Sequence, residues 1–274
     1  GVLIRDVWNS DLTTLLPKSE SYPNLAQWQV VPQVYDDLCA WALVERSDEE
    51  TGTFRPFMLL YHPDIYPSSS APTIVSMRFH GVVESLNILP EKAARSIQYI
   101  SIDSGGCDDA FNLQLAIIDN IKAYLLSTLK GNNIESHNNK PGTIFFHRPV
   151  FTKVSNRLSI SSTLRVLRSA LVLGDDPHQY ALNIRREWLV THRIVTGLYN
   201  NDHSVCKRPY NVIQKGDFVE VKCHVEVMRF RKKTNWVTEV RFVPEAVIRV
   251  CDKTTVRVSD LSIRIGHMIT EHLS

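Results

Sequence analysis

The sequence predicts an α+β protein, mostly β, in which two small antiparallel units, barrel-like or sandwich-like, are joined by helical segments. Three observations carry that expectation. Residues 215–250, KGDFVEVKCHVEVMRFRKKTNWVTEVRFVPEAVIRV, alternate apolar and polar side chains with a period of two, as a strand with one buried face must. Shorter β-rich runs bounded by Gly, Pro and polar clusters precede it. The best helical pattern, Asp103 to Gly131, repeats its apolar residues every three or four positions.

A chain of 274 residues is long enough for one large domain or two small ones. Its 43% apolar and 22% charged content is ordinary for a globular protein. No apolar run approaches the roughly 20 residues needed to span a bilayer, so no membrane partner is expected, and no basic-then-apolar leader opens the chain. The five cysteines, Cys39, Cys107, Cys206, Cys223 and Cys251, include no CxxC pair, and no Asn-x-Ser/Thr sequon occurs. Free thiols in a reducing compartment fit that usage better than disulfides or a zinc site. The expected setting is therefore intracellular, in nucleus or cytoplasm. The net charge of +2 conceals an asymmetry, with acids leading from Gly1 to Met58 and bases leading from Arg229 to Arg264. A polyanion is expected to meet the basic back.

Taken in order, Gly1 to Gln33 is broken by Pro17, Pro23 and Pro32, which forbid a long helix. Its Trp8, Leu15, Leu16, Tyr22 and Trp28 predict an ordered arm lying across the fold. Val34 to Tyr61 reads as a hairpin with strands at Leu38–Glu45 and Thr53–Tyr61 around the polar SDEETG. A short helix from Pro32 competes for its first residues, and strand is preferred from Ala42 onward. The loop HPDIYPSSSAP follows. Thr73–Phe79, Val82–Leu89 and Ser96–Ile102 read as further strands, with a bulge or bend at Gly81.

In the helix, Phe111, Leu115, Ile118, Ile121, Leu125 and Leu129 form one stripe that must be buried. Asp108 or Asp109 is the expected N-cap and Gly131 the stop. The polar NNIESHNNKP at 132–141 is the expected linker, dividing a first unit, 1–131, from a second, 142–274. In the second unit TIFFH is a short strand, Ser162–Leu173 a helix, Glu187–Tyr199 a strand bent or bulged at Gly197, and Tyr210–Ile213 another short strand. After the long hairpin, whose far end is the closing strand Ala246–Val250, Thr255–Val258 closes the unit and Leu261–His272 is a short helix or strand.

No catalytic signature is present: there is no GxSxG elbow, P-loop, GxGxxG or HExxH. Asp103, Asp108 and Asp109, and Asp175 and Asp176 with His178, read better as caps and turns than as carboxylates converging on a metal. The ten histidines contain no HxH or HxxxH pair, although His192 and His224 lie in strand patterns that could meet across a sheet. No enzyme activity, cofactor or metal is expected.

The chemistry concentrates in the long hairpin. The strands of Glu187–Val250 and the bend at Gly197 have the layout of a five-stranded Greek-key barrel of OB type, an analogy at the level of fold. Arg229, Arg231, Lys232 and Lys233 sit at the hairpin tip, flanked by Phe230 and Trp236, with Arg241 on the return strand. Cations neutralise phosphates and an exposed ring stacks on an unpaired base. The expected function is binding of nucleic acid, single-stranded DNA or RNA in preference to duplex, through Arg229, Phe230, Arg231, Lys232, Lys233, Trp236 and Arg241. The competing reading treats the rings as cross-strand packing and the cations as a soluble turn. It makes the chain a protein-interaction or assembly (scaffold) domain for a protein partner or a second copy.

Overall fold

The computed structural model describes residues 3–47, 56–67, 72–88, 97–130, 140–149, 151–153, 188–190, 194–200, 202–232 and 235–256. Three helices are formed by them: α1 (Ser10–Leu15), α2 (Tyr35–Trp41) and α3 (Asp108–Leu129). The strands before α3 are β1 (Ala42–Arg46), β2 (Phe57–Tyr61), β3 (Met77–Asn87) and β4 (Ile97–Asp103). Those after it are β5 (Ile144–Pro149), β6 (Phe151–Lys153), β7 (Trp188–Val190), β8 (Val195–Tyr199), β9 (Val205–Lys207), β10 (Phe218–Lys232) and β11 (Asn235–Cys251). The protein is α+β and mostly β, as the alternating runs require.

Nine strands share one open sheet, in the order β5-β4-β3-β10-β11-β8-β9, with β2 also against β10 and β1 against β2. β11 and β8 run parallel, which makes the sheet mixed. β6 and β7 form a separate antiparallel pair.

The boundary expected at 132–141 does not divide this sheet. β3, which precedes it, pairs with β10, which follows it, from Met77↔Cys223 to Val82↔Phe218. One cluster of buried side chains runs from Trp8 through Ile100, Phe111 and Phe146 to Val225 and Phe242. The reason is visible in β10. Val219, Val221, Cys223, Val225 and Val227 are all fully buried, and both halves of the chain supply their cover. Phe79 of β3 packs 5.6 Å from Phe146 and 6.1 Å from Phe242, ring centre to ring centre.

The sheet curls without closing into the expected barrel. β5, the strand at one end, comes against β11 ahead of the stretch where β11 pairs with β8, but β5 and β11 share no ladder. At the seam stands Pro244, whose nitrogen carries no hydrogen to give a neighbouring strand. The Pro244 carbonyl instead accepts a hydrogen bond from Arg148 Nη1 of β5 at 3.0 Å.

Several local expectations are corrected. Leu38–Trp41 is helical rather than strand, because Leu38 and Trp41 lie one turn apart and both are buried, while strand begins at Ala42 as preferred. Tyr210–Val212 is a 3₁₀ turn, and the closing strand expected at Thr255 starts instead within a helical turn at 253–256. The N-cap of α3 is Cys107, whose side chain makes no capping bond, and the left-handed residue that ends α3 is Lys130. Gly81 sits within β3 and is no bulge; the register shift falls between Val83 and Ser85. A Cβ at Gly81 would meet the Asp103 carbonyl oxygen at 2.8 Å and a Phe111 ring carbon at 3.0 Å, so glycine here serves close packing. Gly197 likewise allows close approach, since a Cβ there would lie 2.7 Å from the Cys206 carbonyl oxygen of β9.

One contact from α3 was not legible in the stripe. Gln114 accepts from the His80 amide and donates to the His80 carbonyl, both at 2.8 Å. Its amide thus pairs with the β3 backbone just before β4 takes over at Val82. The helix predicted at Ser162–Leu173 and the C-terminal segment from Leu261 lie outside the described residues.

Candidate nucleic-acid interface

β10 loses its neighbours one by one. β3 leaves it at Cys223 and β2 at Val227. Beyond that point, among the described residues, it pairs with β11 alone, so 228–232 and 235–240 form a two-stranded ribbon past β2 and β3, in which Val237, Thr238 and Glu239 stay buried and only the tip is exposed. In an antiparallel pair, residues opposite one another point to the same face. The register Arg229↔Thr238, Phe230↔Val237 and Arg231↔Trp236 therefore assigns the tip side chains. Arg229, Arg231 and Trp236 share one face, which continues the core face of Val225 and Val227. Phe230 lies on the other.

This separates the two aromatics that the sequence left equivalent. Trp236 is 58% exposed, the most exposed large apolar side chain among the described residues. The Arg229 guanidinium carbon lies 5.5 Å from its ring centre, a cation–π pair. Phe230 is half-buried opposite the buried Val237. Arg229 and Arg231 are exposed, and among the described residues neither meets a carboxylate. Lys232 stands opposite Asn235 in the ladder, and Lys233 lies outside the described residues.

Arg241 is differently placed. Its Nε and Nη2 donate to the two carboxylate oxygens of Glu239 at 2.6 and 2.7 Å, a bidentate pair. Glu239 is only 2% exposed. The two residues lie two apart on the face of β11 opposite Trp236, a spacing in the sequence from which the pairing could have been read but which the expectation of a nucleic-acid contact at Arg241 passed over. The Arg241 charge is committed to the fold.

The same face of β10 departs from the solvent-facing stripe that the alternation predicts. Glu220 is 5% exposed and accepts from Tyr199 OH at 2.9 Å, with His80 Nε2 at 3.2 Å and Arg78 at 3.8 Å. Burial, with the Glu220 charge beside it, pushes the Tyr199 hydroxyl well above its ordinary range. His224 is also buried, with Nδ1 2.9 Å from Glu245 and Nε2 3.3 Å from Glu226. Two carboxylates flanking the ring, one at each nitrogen, favour the doubly protonated, cationic imidazole. Its pKa is accordingly raised: burial opposes the charge, but the bonds to Glu226 and Glu245 outweigh it. Those bonds, with Lys222 at 3.2 Å, hold the Glu245 carboxyl down at about 2. His192, the expected partner of His224 across the sheet, lies outside the described residues.

Asp103 caps its own turn, accepting from the Gly105 amide at 3.0 Å. Among the described residues no group of three His, Cys, Asp or Glu side chains could hold a metal ion, and no helix is long and apolar enough to cross a membrane. Asp175, Asp176 and His178 lie outside them.

No protein-family model matches this chain, and no curated protein matches it in sequence. Among solved structures it is similar to gp2.5, a single-stranded DNA binding protein encoded by bacteriophage T7. The TM-score is 0.34 at 11% identity, over 64% of this chain and 86% of that one. It is also similar to the single-stranded DNA-binding protein from bacteriophage Enc34, with a TM-score of 0.32 at 11% identity, over 77% of this chain and 90% of that one. A likeness of this degree decides no function.

Proposed function

We propose that this protein binds single-stranded nucleic acid on the Trp236 face of the β10–β11 ribbon. The observation that carries the reading is an indole 58% exposed at the tip of the β10–β11 ribbon, beside the Arg229 cation, which meets no carboxylate among the described residues. Exposing an indole costs apolar burial, and a stacked base would restore it for about 1–3 kcal/mol. Arg229, Arg231, Lys232 and Lys233 would neutralise phosphates on either side. A duplex offers no free base face to the ring away from its ends, so single strands are the expected substrate.

The test is fluorescence anisotropy with labelled single-stranded DNA, RNA and duplex DNA at two salt concentrations. Wild type is compared with a variant carrying Arg229→Glu and Arg231→Glu. Salt-sensitive binding to single strands that the variant loses supports the reading. Absence of binding at low salt overturns it, and leaves assembly through the β9 edge, where Val205 is 48% exposed, as the better account.

A further inference from the structure

The strand registers extend the proposed interface to a second aromatic that the sequence reading left unassigned. Val227 of β10 faces Phe57 of β2, and Phe57 faces Arg46 of β1. Each is an antiparallel partner, so Arg46, Phe57 and Val227 lie on one face of the sheet. Arg229 and Arg231 follow Val227 at steps of two on that same face, and Trp236 is opposite Arg231. The Arg46 guanidinium carbon lies 5.9 Å from the Phe57 ring centre, repeating at the foot of the ribbon the pairing that Arg229 and Trp236 make at its tip. Phe57 is half-buried, and Arg46 is exposed.

We infer that Arg46 and Phe57 form a second stacking and phosphate-binding subsite for the same single strand, an inference that rests on the function proposed above. The spacing restricts the ligand. Val227 and Arg231 are four residues apart, about 13 Å along the strand, and β2 and β11 flank β10 on opposite sides, about 10 Å from one another. The two rings are thus on the order of 16 Å apart by strand geometry, several times the roughly 3.4 Å step between stacked bases. Bases resting on both rings cannot be neighbours in a stack. The strand between them must be drawn out, which a single strand allows and a duplex does not. Val227 is fully buried and takes no part in the path, and the exposed Arg229 cation is placed to meet the intervening phosphates.

The experiment measures binding of oligothymidylates of 2 and 12 nucleotides to the full chain. Wild type is compared with Arg46→Ala, Phe57→Leu and Trp236→Ala, each checked for unchanged folding by circular dichroism. Phe57→Leu keeps an apolar side chain against the core while removing the flat ring. The expected result is a five- to tenfold loss for the 12-mer in both subsite variants, with the 2-mer little affected. The Arg46→Ala salt slope should also fall by about 0.7. Wild-type affinity for the 12-mer in Arg46→Ala and Phe57→Leu, alongside a loss in Trp236→Ala, overturns the subsite and leaves the ribbon reading standing. Failure of wild type to bind either oligomer overturns both.

Discussion

Arg148 of β5 donates to the Pro244 carbonyl of β11 at 3.0 Å, joining the end strand β5 to β11 where no ladder does. The guanidinium is buried, and burial lowers its pKa to about 10, against the pull of the nearby Glu226 and Glu245 carboxylates. It remains charged at any ordinary pH. Side chains thus span the seam where a closed barrel would have a ladder, with His147 of β5 also 3.6 Å from Glu239 of β11.

Arg148→Met tests that role, because it keeps the length of the stem and removes the fork. Losing the seam bond and a buried positive charge beside two carboxylates should cost about 3 kcal/mol. The check is urea denaturation, with amide exchange in β5 and β11 reporting where the sheet loosens. A loss below about 0.5 kcal/mol would mean that the seam is held by packing alone.

The His224 cluster predicts a pH dependence whose sign follows from its two kinds of group. The His224 pKa is raised above its ordinary 6.5, so its contribution to stability is complete below that value and fades as pH rises through the folded pKa. Glu226 and Glu245 are lowered from their ordinary 4.5, Glu245 to about 2, so theirs is complete above 4.5 and fades as pH falls toward 2. The cluster should stabilise most between about pH 4.5 and 6.5. Urea midpoints measured from pH 5 to 9 should fall on the alkaline side, and His224→Gln should flatten that fall. An unchanged slope in the variant would assign the dependence elsewhere.

Arg241 and Trp236 should separate cleanly. Arg241→Ala removes the bidentate partner of the buried Glu239 and should destabilise by about 3 kcal/mol while leaving the salt slope of oligonucleotide binding as in wild type. Trp236→Ala touches an exposed ring and should change stability by less than about 0.5 kcal/mol while weakening single-strand binding about tenfold. Denaturation and anisotropy on the same two variants decide it. A reversed pattern would move the interface to the opposite face of the ribbon.

Much of the fold was legible because it depends on neighbours in sequence. The period of two from Val219 to Val227 named the buried face residue by residue, and all five side chains are fully buried. The three-and-four spacing in 108–129 named a helix, and Phe111, Ile118, Ile121 and Leu125 of its stripe are buried as predicted. The hairpin and the cations at its tip needed only the break in alternation at RKKTN, 231–235. What alternation cannot convey is whether a polar face meets water or another strand. Glu220 and His224 have the spacing of exposed residues, yet both are buried in ion pairs.

The sequence by itself determined the β-rich class, the long hairpin, the apolar face of β10 and the basic tip, since each follows from side-chain periodicity within one segment. Tertiary structure decided that strands from both halves share one sheet, that the sheet stays open at Pro244, and that Trp236 faces solvent while Phe230 turns away. It also set Arg46 and Phe57 in line with the ribbon and committed Arg241 to Glu239. These depend on register between strands far apart in the chain. A shift of one residue in any pairing would send every side chain to the other face.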